Sequence, residues 1–142
     1  MHLFDRVGED CAIVAAYELS VAINKPKTYD QVRRIAIKRG WWTPNNGFNT
    51  KYTCEFFKAI GANGDIVEAG TPTKVLREKV KSGKPIVLIV ERSDMPMSHA
   101  VLGVKGTKGV RLINADPEYP GWKSVCKAMK KGKIKVYAWS AK

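Results

Sequence analysis

The sequence is poor in histidine and cysteine, with two of the first and three of the second among 142 residues, and both scarcities exclude chemistry. Cys11, Cys54 and Cys126 are odd in number and widely spaced, which rules out a disulfide framework. With only His2 and His99 beside them there is no paired ligand spacing of the zinc type, so no metal and no cofactor is expected. Long apolar runs are missing too. The best candidate, Ala12 to Ile23, is broken by Glu18 and Ser20 and falls short of the roughly 18 residues a membrane span needs. The opening MHLFDRVGED carries acids and lacks the basic segment and apolar core of a secretory signal. No membrane span and a cytoplasmic, reducing location are therefore the expectations. Repeats, low-complexity tracts and Gly/Ser linkers are also lacking, and with hydrophobic residues at 44% the chain reads as one domain over 1–142.

Acid is what the C-terminal end lacks. After Glu118 there is none, while Lys123, Lys127, Lys130, Lys131, Lys133, Lys135 and Lys142 follow, in a chain of net charge +12. Such a cationic patch is either a solvated face or a contact for an acidic partner, nucleic acid or an anionic polypeptide.

The elements present fall into two groups. Residues 11–23 predict a central helix, apolar on most of its circumference, with Asp10 as N-cap and Lys25-Pro26 closing it. Further helices are expected from Thr28 or Tyr29 to Lys38, from Lys51 to Ile60 and from Pro72 to Lys81, with a short strand around Asp65 to Ala69. From residue 85 the period changes, and PIVLIVE, SHAVLGVKG, GVRLINADP and KIKVYAW read as consecutive antiparallel strands separated by turns. Helices first and sheet second predict an α+β domain, its helical layer on one face of the sheet.

Three stretches carry the chemistry. Asp10-Cys11 opens the buried helix, Ser98-His99 opens a strand, and Asn114-Ala115-Asp116-Pro117 ends the next. A thiol reacts as thiolate, and a helix N-terminus together with an imidazolium lowers its pKa. Cys11 is the candidate nucleophile, His99 the base that later protonates the leaving amine, and Asp116 the group that orients the ring. The first helical amides would face an oxyanion. Trp41 and Trp42 are candidate cleft walls with core packing as the alternative, and Cys54 and Cys126 read as structural.

DCAIVAAYEL, GFNTKYTCEFFKAIG, VLREKVKSGKPIVLIV, SHAVLGV and RLINADPEYPGW occur in this order along nearly the whole chain. In this the sequence resembles the papain-like cysteine peptidases of the bacteriocin-processing type, the double-glycine leader peptidases. The resemblance implies a papain-like fold, thiol-dependent cleavage of an amide bond in a polypeptide, and the roles already given to Cys11, His99 and Asp116. Two departures stand out. Ala12 replaces the glycine that usually follows the cysteine, a change that favours helix. Asp5 stands where the family has a glutamine that donates to the oxyanion, and an ionised carboxylate cannot donate. Asn45 and Asn46 are the candidate replacements, since Gln31 belongs to a different helix. A substrate of acidic character would suit the basic tail. Two rival readings remain: a binding module that has lost turnover and holds nucleic acid or an acidic protein, and an acyltransferase that uses an amine in place of water.

Overall fold

The computed structural model describes residues 10–94 and 98–142. Helix α1 spans Cys11–Ala22 and ends where Asn24 takes a left-handed φ of 62°, so that the amide of Lys25 reaches back to the carbonyl of Ser20. Helix α2, Tyr29–Lys38, starts with a reciprocal cap: Thr28 Oγ1 accepts from the Gln31 amide while Gln31 Oε1 accepts from that of Thr28. The turn-rich segment behind it forms a small hairpin of β1, Trp42–Thr43, and β2, Gly47–Phe48. A 3-10 turn, Thr50–Tyr52, leads into α3, Thr53–Ala59.

Strand β3, Gly64–Ile66, and helix α4, Thr73–Lys81, precede β4, Ile86–Arg92, β5, His99–Gly106, and β6, Gly109–Ile113. Helix α5, Trp122–Lys130, then carries the chain back to β7, Ile134–Ala141. The five-stranded sheet is antiparallel with spatial order β3-β7-β4-β5-β6, so the last strand, β7, is inserted between β3 and β4.

The helices cover both faces of this sheet, which corrects the expectation of a single helical layer. Strand side chains alternate between faces. Val87, Ile89, Ala100, Leu102 and Trp139 join the core under α1, α2 and α3, whereas Ile86, Leu88, Val90, Val101 and Ala138 join a second core under α4 and α5. The uninterrupted IVLIV of β4 has this cause, because a strand buried on both sides has no polar face to display. As with the small β1–β2 hairpin, the sequence reading missed helix α5. Its buried Val125 and Ala128 and half-buried Trp122 and Met129 recur at helical spacing, but the lysines between them read as a charge run.

Close approach at the sheet edge fixes one glycine. A Cβ on Gly64 would lie 2.3 Å from the Ser140 carbonyl oxygen and 2.4 Å from the Trp139 ring. Both are held by β-pairing and core packing, so neither can yield. Gly64→Ala is expected to cost about 1 to 3 kcal/mol, read as a lower urea midpoint. An unchanged midpoint would show that β3 is not paired in this register.

Candidate active site

Cys11 is the first residue of α1 and is 7% exposed. Its sulfur is met by strand β5: the amide of Ala100 donates to Cys11 Sγ at 3.5 Å, across a sequence separation of 89 residues. The chain therefore brings the helix N-terminus against the strand residue that follows His99. The next amides of the helix, those of Cys11 and Ala12, also favour negative charge on the sulfur. Burial is the larger effect. It pushes the thiol up from 9.0 to about 11, with the Asp10 carboxylate adding to the rise, so the resting sulfur is a neutral thiol. This differs from the thiolate expected from the helix dipole, because an apolar pocket outweighs a few oriented amides.

Asp10 occupies the N-cap position without capping. Its carboxylate accepts instead from the Tyr29 hydroxyl at 3.3 Å.

His99 begins β5 and is partly exposed. Among the described residues the ring makes one hydrogen bond, from Nε2 to the backbone carbonyl of Asn114 at 2.5 Å. A carbonyl can only accept, so Nε2 carries a proton, and in the neutral ring Nδ1 is the nitrogen able to accept. Asn114 presents that carbonyl from a left-handed conformation, φ 65°, immediately after β6.

The orienting group is thus a backbone carbonyl, and the expected Asp116 side chain is turned elsewhere. Its Oδ2 accepts from Arg92 Nη1 at 3.1 Å and its Oδ1 from the Glu118 amide at 2.9 Å, making a turn in the loop that carries Asn114. Arg92 ties this loop to the end of β4. It pairs with Asp94 through Nε at 2.9 Å and Nη2 at 2.8 Å, with Glu118 at 2.6 Å, and lies over the Tyr119 ring. Burial alone would raise the Asp116 carboxyl, but the Glu118 amide, Arg92 and His99 together hold it below the ordinary carboxylate range. The stability that this adds is present above the unfolded carboxyl pKa and is lost as pH falls through the lower folded one.

Arg92→Met is expected to lower the thermal midpoint and to speed amide exchange across residues 114–119. Unchanged exchange there would mean that the loop holds itself.

The other sequence candidates fall away from this corner. Trp41 and Trp42 are 8% and 5% exposed, the first packed on Tyr52 and Phe56, the second on the core with Arg33 over its ring. Burial makes them packing residues, not cleft walls. Asn45 and Asn46 sit exposed at the tip of the β1–β2 hairpin, and among the described residues neither bonds to Cys11 or His99. Gln31 is consumed by the α2 cap. Asp5 lies outside the described residues. Cys54 and Cys126 are half-buried thiols whose pKa values are raised by burial, and the Thr73 side chain is hydrogen-bonded to the second.

Two residues to which the sequence reading gave no role shape this corner: Asn114, through its backbone carbonyl, and Arg92. Asn114 carried the only available signal, since asparagine after a strand tolerates the left-handed conformation. Among the described residues no cluster of three or more His, Cys, Asp and Glu side chains could hold a metal ion, and no helix is long and apolar enough to cross a membrane. No family model matches the chain, and no curated protein matches it either.

Proposed function

We propose that the chain is a thiol-dependent peptidase of papain-like architecture, acting on a polypeptide through an acyl-enzyme on Cys11. The observation that supports the reading is the Ala100 amide on Cys11 Sγ, which brings a helix-terminal thiol against the residue that follows His99. Because the resting thiol is neutral, His99 works as a general base: Nδ1 takes the thiol proton as sulfur attacks the carbonyl carbon, and the imidazolium returns it to the leaving amine. The Asn114 carbonyl keeps the ring from flipping, and the first amides of α1 face the developing oxyanion. Incubation with a proteome-derived peptide library, followed by mass spectrometry, tests this directly. New termini that vanish with Cys11→Ala support it, and an unchanged library refutes it. Product masses with and without an added amine separate hydrolysis from acyl transfer.

A second reading is favoured by the other side of the sheet. Lys74, Arg77 and Lys81 of α4 and Lys123, Lys127 and Lys130 of α5 are exposed, and among the described residues none is ion-paired. Repeats of three or four residues place each set on one helical face. Such a surface would hold a phosphate backbone, away from the Cys11 corner. Retention of a labelled DNA or RNA oligonucleotide that weakens steeply with salt is the expected signature, and no binding at low ionic strength removes this reading.

A further inference from the structure

Among the described residues two buried side-chain oxygens near the start of β5 have no partner. Ser98 is 3% exposed and its hydroxyl has no hydrogen-bond partner among the described residues; Oε2 of Glu91 is likewise buried and has none among them. The register places them together. The β4–β5 pairing ends at Val90 opposite His99, so Glu91 follows that last pair on β4 and Ser98 precedes it on β5. Pleat parity assigns the face. Ile89 and Ala100 point into the core under α1, and Glu91 lies two residues after the first and Ser98 two residues before the second. Ala100 is the residue whose amide meets Cys11 Sγ, and Ser98 is about 7 Å from it along the strand. Lys135, opposite Glu91 on β7, is exposed and forms no ion pair with it, and Tyr137 is the neighbouring titratable group on that side.

Unpaired buried oxygens are costly and persist where a ligand completes them. The surrounding charge says which kind. Among the described residues the Glu91 carboxylate forms no ion pair, and Asp10 is exposed at the start of α1. We propose that Glu91 and Ser98 form a specificity subsite for a cationic side chain of the polypeptide, with arginine the best fit. Two oxygens on adjacent strands suit the forked donors of a guanidinium, and the carboxylate supplies the opposite charge. The substrate class is therefore basic, the reverse of the acidic polypeptide that the lysine-rich tail suggested. The proposal rests on the reading of Cys11 as the reactive centre of a polypeptide site.

The test uses the Cys11→Ala protein, in which binding is separated from chemistry. Acetylated, amidated hexapeptides of glycine and alanine carry one arginine at each position in turn, with citrulline and norleucine versions as partners, and are titrated calorimetrically. One arginine register is expected to bind about tenfold or more tighter than its norleucine partner, as a charge-assisted hydrogen bond implies. Glu91→Gln should abolish that preference. Ser98→Ala should weaken it several-fold while leaving the thermal midpoint equal or higher, since it removes a hydroxyl that the free protein does not satisfy. No arginine preference in any register, or a preference that survives Glu91→Gln, overturns the proposal. A lower midpoint for Ser98→Ala does the same, because it would mean that a water already satisfies the hydroxyl. Cleavage by the parent protein without regard to basic residues would sink this inference and leave the peptidase reading standing. Arginine binding without cleavage would do the converse.

Discussion

Cys11→Ala is expected to reduce peptide cleavage by about a thousandfold or more, and His99→Ala to come close to it, with the double variant little worse than either. The reason is geometric. One sulfur begins α1 against the Ala100 amide, and the ring in the preceding position is held by Asn114 in the tautomer that leaves Nδ1 free to accept. Thiol and base act as a unit, so losing either forfeits the same step. Cys54→Ala and Cys126→Ala should behave like the parent, since both thiols lie outside this corner. Asp116→Asn should act through the Arg92 loop, with a modest loss of rate and increased mobility of residues 114–119, because the ring's own acceptor is the Asn114 carbonyl. A loss as large as that of His99→Ala would show that the Asp116 carboxylate swings to the ring during turnover.

The second large effect is on stability in alkali. The unfolded chain gives up the Cys11 proton at its ordinary pKa of 9.0, and the folded chain holds it to about 11. Between those values the unfolded state binds fewer protons, so stability is intact below pH 9 and declines as pH rises toward 11. Two pH units amount to about 3 kcal/mol at 1.36 kcal/mol each. Urea unfolding of the parent and of Cys11→Ala isolates this contribution. The difference in unfolding free energy between them should shift by about that amount, against the parent, from about pH 8 to about pH 11. A difference independent of pH would mean that the thiol is not buried in its neutral form. The same shift has a kinetic corollary: simple alkylating agents should find Cys11 slow at neutral pH, despite its place at a helix N-terminus.

What the sequence made legible was periodicity. The apolar run of α1, the short β-branched strands after residue 85 and the glycine stops gave the element order and the antiparallel pairing of a mixed α and β domain. Layering was less legible. IVLIV carries no polar alternation, and only the positions of α4 and α5 explain why. α5 itself was hidden because lysine at helical spacing reads as charge before it reads as one face of a helix. At the candidate site, the residues fixed by the order of elements were found, Cys11 at a helix start and His99 at a strand start. Those fixed by side-chain direction were not. Asp116 turns to Arg92, and Asn114 supplies a backbone atom whose role no side-chain reading could give. The neutral state of Cys11 follows from packing around α1, which has no local signature in DCAIVAAYEL.

Active-site labelling by a peptide-derived epoxide bears most directly on the claim that Cys11 and His99 form one reactive centre. Folded protein is treated with the epoxide near neutral pH, digested and mapped by mass spectrometry, in parallel with His99→Ala and with the urea-unfolded chain. The account predicts modification at Cys11 alone in the folded parent, lost in His99→Ala and spread over all three cysteines once the chain is unfolded. Labelling confined to the more exposed Cys54 and Cys126, or labelling of Cys11 undiminished in His99→Ala, would contradict it.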